Sequence, residues 1–347
     1  MARIVESQTK IIVMPNSLKR LITSTPQVFA LFAAIAFISG ADGSGSYGSG
    51  KKERTFNIEI IAEGLNNPTA IATNSSRSLY YSEVPEPGEP GGENTVKRFD
   101  LRSKNSTLIS QGEPYPINIA LDRRGNVYWT CRTAGVILKY SRYGGTKAPF
   151  YPVGFDPDVT LLEDRLMKPS GISVDRYGDV LFTEVPDLGD EGLSMVSATD
   201  GSNVSIVSDG EPAPTDVVIS YNGSVYWTCK EVGVIRKRSS GGVVSTLLDG
   251  LEKPTGIALD RTGRYLYFTE IPTPGVFGGD VGPGGDGSNR VMEYDLWKKK
   301  STQVAFGFPT PTDVAVAPNG KIHWTCTKVG VIACATPQGG KRSRWGW

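Results

Sequence analysis

One histidine, His323, stands in 347 residues. A Ser-His-Asp or Cys-His relay needs a histidine beside its nucleophile, and a Cys/His zinc site needs several ligands at short spacing. His323 also falls at a position that is Tyr128 and Tyr226 in two sister segments, which marks it as a spacer. Cysteine is nearly as scarce. Cys131, Cys229, Cys326 and Cys334 are too few for a disulfide scaffold. No Gly-rich loop follows a strand pattern and opens a helix, so no nucleotide-phosphate cradle is present. Charge is balanced at 37 basic against 36 acidic residues, which offers no large basic face to nucleic acid or to an anionic membrane. No apolar run reaches the roughly 18 residues that span a bilayer.

The longest such run, "VFALFAAIAFI" at 28–38, follows Lys19 and Arg20 and ends in Ser39-Gly40-Ala41. A basic flank, a short apolar stretch and small residues describe a secretory signal peptide over residues 1–41. Retention of that segment as an anchor is the other reading. "DGSGSYGSG" then opens a flexible linker over 42–55. Secretion is the expected localisation, with no membrane association after cleavage. It gives meaning to four Asn-x-Ser/Thr sites as glycan acceptors: Asn74, Asn105, Asn203 and Asn222.

What is abundant is turn residues, 41 Gly and 23 Pro, and they punctuate a repeat. "VYWTC" at 127–131 returns at 225–229, and "IHWTC" follows at 322–326. Between them lie "LYYSEVP", "LFTEVP" and "LYFTEIP". Every phrase is preceded by a Pro-led apolar stretch opening at Pro68, Pro116, Pro169, Pro214, Pro254 or Pro311. From each proline to the last residue of its Ser/Thr-Glu or Thr-Cys pair the count is 15, 15, 15, 15, 16 and 15. Each unit carries four short strand patterns, so the chain predicts an all-β, six-bladed β-propeller over 56–336, with a basic tail at 337–347. The sixth unit lacks a fourth strand after "GVIACA". "NIEIIAEGLNNP" at 57–68 matches the fourth-strand phrase "VSTLLDGLEKP" and is expected to close that blade.

Odd and even units differ. Odd units end the second strand in Glu83, Glu184 and Glu270 and then carry long Gly/Pro loops, one holding Phe277. Even units end it in Cys131, Cys229 and Cys326, followed by a tight turn into Gly-Val-Ile. Two residues after the opening proline, even units have Asn118, Asp216 and Asp313 where odd units have Ala70, Gly171 and Gly256. The duplicated element is therefore a pair of blades, and the ring should have pseudo-threefold character. An inner strand begins where its antiparallel neighbour ends. One mouth of the channel is thus expected to gather the three glutamates, Asn118, Asp216 and Asp313 as candidate catalytic groups. Phe277 and the three interleaved cysteines are expected to line the substrate. A ring of carboxylates also suits Ca²⁺, although backbone N–H groups at strand ends would satisfy the same oxygens. The cysteines read as well as small buried residues, and a Cys326–Cys334 bridge is out of register.

"PSGISVDRYGDVLFTE" and "PTGIALDRTGRYLYFTE" resemble the repeats of NHL-type and senescence-marker/gluconolactonase-like six-bladed propellers. Calcium lactonases of that group use a Glu, an Asn and an Asp around the channel mouth, so the resemblance implies Glu83, Asn118 and Asp216 as a metal set. A cofactor-poor secreted propeller without a hydrolytic base also resembles the fungal hetero-Diels–Alderases of tropolone–sesquiterpenoid biosynthesis. The resulting expectation is an enzyme acting on a small organic molecule at the loop-covered mouth, without cofactor. Its rivals are a calcium-dependent lactonase and a non-catalytic extracellular binding or matrix scaffold.

Overall fold

The computed structural model describes residues 54–85, 93–142, 159–163, 166–186, 194–271 and 289–338. The expected signal segment, Phe277 and most of the long odd-blade loops lie outside these residues. Within them the regular structure is all strand, apart from one short 3₁₀ turn at Thr327–Val329.

β1 (Thr55–Ala62) leads into blade 1: β2 (Pro68–Ala72), β3 (Ser78–Glu83), β4 (Thr95–Asp100) and β5 (Ser106–Gln111). Blade 2 is β6 (Pro116–Leu121), β7 (Val127–Cys131), β8 (Val136–Tyr140) and β9 (Val159–Glu163). Blade 3 is β10 (Pro169–Val174), β11 (Val180–Glu184), β12 (Met195–Thr199) and β13 (Val204–Asp209). Blade 4 is β14 (Pro214–Ile219), β15 (Val225–Cys229), β16 (Val234–Arg238) and β17 (Val244–Leu248). Blade 5 is β18 (Pro254–Leu259), β19 (Tyr265–Glu270), β20 (Arg290–Asp295) and β21 (Lys300–Phe306). Blade 6 is β22 (Pro311–Val316), β23 (Ile322–Cys326) and β24 (Val331–Gln338), with β1 as its outer strand.

The sequence expectation of six four-stranded antiparallel sheets closed by the N-terminal strand is met. β1 runs against β24 from Thr55 opposite Gln338 to Ala62 opposite Ile332. Arg54, just ahead of it, crosses to blade 5, where it pairs with the buried Glu293 and lies 4.5 Å from the Tyr265 ring. The closing strand is thereby fastened to two blades.

Second strands are sandwiched between neighbouring sheets, so VYWTC is buried at every position rather than at alternate ones. Tyr81, Trp129, Phe182, Trp227, Phe268 and Trp324 fill the wedges between blades. Six apolar clusters result, one at each blade interface.

Each inner strand is launched from one strained corner. The residue before every opening proline has positive φ: Asn67, Tyr115, Lys168, Ala213, Lys253 and Thr310, between 47° and 65°. A side chain there costs about 1–2 kcal/mol. The corner persists because its carbonyl accepts the N–H of the residue just beyond the second strand, at 3.1–3.4 Å in all six blades. Every opening proline then sits opposite the terminal Glu or Cys of its second strand, and a bulge follows.

Candidate functional site

The residue before each terminal Glu or Cys is Ser82, Thr130, Thr183, Thr228, Thr269 or Thr325. Thr130, Thr228 and Thr325 donate to the inner-strand carbonyls of Ser170, Thr255 and Thr69 in the next blade. Thr183 and Thr228 also accept the N–H groups of Gly171 and Asp216 in their own blades. The recurrent hydroxyl thus joins adjacent inner strands and fixes the radius at which the third residue of each strand faces the axis.

At that radius three polar side chains from alternate blades converge. Asn118 Nδ2 donates to Asp216 Oδ1 at 2.9 Å, joining blades 2 and 4 across the channel. Asp216 Oδ1 also accepts the Val217 N–H, and Oδ2 accepts the Ile257 N–H of blade 5 at 2.8 Å. Asp313 repeats the pattern, with Oδ1 on Val314 N–H and Oδ2 on Ile71 N–H of blade 1. Burial pushes the Asp216 carboxyl up to about 7, against the pull of those three hydrogen bonds. Asp313 is driven well above the carboxylate range by burial and by the charge of Asp216. The odd-blade glycines make room for both. A Cβ on Gly171 would stand 2.4 Å from the Asp216 Cα, and one on Gly256 would stand 2.6 Å from the Asp313 Cα. Asn118, Asp216 and Asp313 keep 8 %, 4 % and 5 % exposure. At that exposure they can present one functional group to a substrate or a water but cannot enclose it.

The glutamates have different work. Each accepts the backbone N–H two residues before its blade's opening proline: Glu83 from Asn66, Glu184 from Met167, Glu270 from Glu252, at 2.8–2.9 Å. Glu83 also pairs with Lys97, and Glu270 lies 3.5 Å from Arg290. None of the hydrogen bonds described for these glutamates reaches Asn118, Asp216 or Asp313. They clamp the entering loop to the second strand.

Blades 2 and 4 supply the carboxylate from the other side, from glutamates outside the sequence-based candidates. Glu113 accepts the Trp129 indole N–H at 3.2 Å, the Ser110 hydroxyl and the Cys131 thiol at 3.6 Å. Glu211 does the same for Trp227 at 3.0 Å, Ser208 at 2.6 Å and Cys229 at 3.8 Å. The signal was "GEPYP" and "GEPAP", in which the glutamate stands three residues before the opening proline. Blade 6 places Phe308 there, its ring edge-on to Trp324 at 5.1 Å. The Trp324 N–H has no partner among the described residues.

The three cysteines at these strand ends have no exposed surface, and all four are unpaired. Burial pushes Cys229 and Cys334 up to about 12 and raises Cys131 and Cys326 as well. These thiols are structural donors with little thiolate character. In blades 2 and 4 the indole and thiol of Trp-Thr-Cys answer one glutamate, and in all three copies the hydroxyl ties two blades.

A calcium site built from Glu83, Asn118 and Asp216 does not fit these placements. The Glu83 oxygens are taken by Asn66, Thr95 and Lys97, and Asn118 turns its N–H₂ toward Asp216. Among the described residues no group of three or more His, Cys, Asp or Glu side chains is placed to hold a metal ion. His323 is buried, and neither ring nitrogen has a partner among the described residues. The four glycan-type asparagines are exposed and lie on first-to-second or third-to-fourth strand turns, at the end of the ring away from the opening prolines.

No protein-family model matches the chain. The chain is similar to a Pyricularia oryzae protein named low-density lipoprotein receptor-related protein 1, at 26 % identity over 259 residues, covering 65 % of this chain and 82 % of that protein. Among solved structures, a gluconolactonase from Xanthomonas campestris superposes with a TM-score of 0.61 at 14 % identity, over 81 % of this chain and 89 % of that one. Virginiamycin B lyase from Staphylococcus aureus superposes with a TM-score of 0.52 at 14 % identity, over 82 % and 99 %. At such identities the likeness is one of fold alone.

Proposed function

We propose that the protein is an enzyme acting on a small organic molecule at the channel mouth, with the Asn118–Asp216–Asp313 group as its working chemistry. The observation that carries this reading is the pair of buried, mutually repelling carboxyls beside a carboxamide. Burial and charge keep a proton on at least one of them near neutral pH, and a neutral carboxyl there can donate a hydrogen bond to a substrate carbonyl. That suits a cofactor-independent hetero-Diels–Alder cyclisation. Both new bonds then come from substrate π electrons, and the protein needs only to orient a heterodiene and an alkene and polarise one carbonyl. Solved propellers described as a gluconolactonase and a lyase support an enzymatic reading at the level of architecture alone. The name of the Pyricularia relative favours a binding scaffold as the second reading.

The test presents the purified protein with a heterodiene–alkene pair and, separately, with lactones, each with and without added calcium or chelator. Turnover of the first pair that resists chelator and drops at least about tenfold in Asp216→Asn and Asp313→Asn is expected. Lactone hydrolysis abolished by chelator would install the calcium-dependent hydrolase instead. Binding without turnover, untouched by either substitution, would install the scaffold.

A further inference from the structure

At the end of the ring away from the opening prolines, the turns joining first and second strands surround a cavity of about 290 Å³. Its walls come from blades 2 to 5 only. The inner-strand ends Leu121, Val174, Ile219 and Leu259 give it an apolar floor. Seven residues after the opening proline those blades carry Arg123, Arg176, Tyr221 and Arg261, whereas blades 1 and 6 have Ser75 and Pro318. The planar and cationic residues are therefore confined to the four consecutive blades that build the cavity.

The charges in this rim are unbalanced. The guanidinium carbons of Arg123 and Arg176 lie 5.5 Å and 5.0 Å from the Tyr221 ring centroid, so one exposed tyrosine holds two cations together. Arg176 also lies over Tyr177 and bonds its hydroxyl. Neither Arg123, Arg176 nor Arg261 has a carboxylate partner among the described residues. The lining does contain Asp175 and Asp260, but both carboxylates accept hydrogen bonds within their own turns. Asp175 Oδ1 accepts the N–H groups of Tyr177, Gly178 and Asp179. Asp260 accepts those of Arg264 and Tyr265 and the Thr262 hydroxyl. The neighbouring Asp122 likewise answers Asn126 and Tyr128.

We infer that this cavity is a binding site for a small organic anion, a carboxylate, phosphate or sulfate joined to an apolar body, with the arginines gripping the anionic group and the strand ends receiving the body. The site stands apart from the Asn118–Asp216–Asp313 group and does not depend on its chemistry. Isothermal titration of the full chain with benzoate, phenyl phosphate and phenyl sulfate tests it, beside inorganic phosphate and benzyl alcohol. At least one aromatic anion should bind saturably, more weakly as salt is raised. Benzyl alcohol should not bind, and inorganic phosphate should bind several-fold more weakly than phenyl phosphate. Arg123→Gln and Arg261→Gln should each weaken the best anion by about tenfold without changing the melting temperature. Failure of all three aromatic anions, equal binding of inorganic and phenyl phosphate, or unchanged affinity in the doubly substituted chain would overturn the proposal.

Discussion

At the scale of single residues, function and structure are separated by which carboxylates still have a use for a proton. Glu113 and Glu211 are occupied by indole and thiol donors. Their value can be measured against the blade that lacks them. Trp227→Phe removes one donor from the buried Glu211, which keeps Ser208 and Arg236, whereas Trp324→Phe removes an N–H that has no partner among the described residues. Denaturant melts should show the first costing about 1–3 kcal/mol more than the second. Two buried groups give stability opposite slopes with pH. His323 is depressed to about 3 from its ordinary 6.5, chiefly by burial. The unfolded chain therefore takes up a proton first, and stability falls as pH drops from 6.5 toward 3. Asp216 is raised from 3.8 to about 7. There the folded chain holds the extra proton, and stability falls as pH rises from about 4 through 7. His323→Tyr, which restores the residue of the sister blades, should leave a protein whose melting temperature climbs on acidification from pH 7 to 5. Replacing both Asp216 and Asp313 by Asn in that background should reduce that climb, because burial raises both carboxyls. Identical profiles in both variants would contradict the assignment.

At the scale of the element, the tight turn into Gly-Val-Ile shows what a recurring phrase can and cannot disclose. Gly135, Gly233 and Gly330 have φ near +64°, and a Cβ on them would meet the carbonyl oxygen of Leu166, Leu251 or Leu65 in the next blade at 2.1–2.3 Å. Gly250 has the same backbone conformation but open space around it. Gly233→Ala should therefore destabilise clearly more than Gly250→Ala, for which only the backbone cost of about 1–2 kcal/mol remains. Equal midpoint shifts in urea would show that the close approach is relaxed. The strand order, the turns and even the extra residue of blade 5 were legible, because a recurring spacing of 15 residues within the blade has to reproduce the same hydrogen bonds each time. The partner of each terminal residue was not. Glu83 and Asn118 look equivalent as polar residues at one mouth, yet Glu83 reaches back to Asn66 while Asn118 reaches across to Asp216. That distinction depends on the bulge after each proline, which a linear count does not display.

At the scale of the whole molecule, the ring presents two unlike ends. One gathers the buried aspartates. The other carries the arginine-rimmed cavity and all four exposed Asn-x-Ser/Thr sites. The threefold pairing of blades, visible in the alternation of Glu and Cys, is broken at both ends: Asn118 stands among two aspartates, and Tyr221 among three arginines. Asymmetry of this kind in an otherwise repetitive scaffold is where a ligand-specific role can reside.

Pairing of Thr55 with Gln338 has a consequence for how the chain could be rewired. Because start and finish are neighbours on one sheet, a short Gly/Ser peptide could splice them. The polypeptide could then be cut at another hairpin, such as Gly241-Gly242, with little change to the packing. Such a permuted protein should melt cooperatively within a few degrees of its parent. Deleting residues up to Ala62 without the splice should instead leave β24 uncapped and drive association through its bare flank.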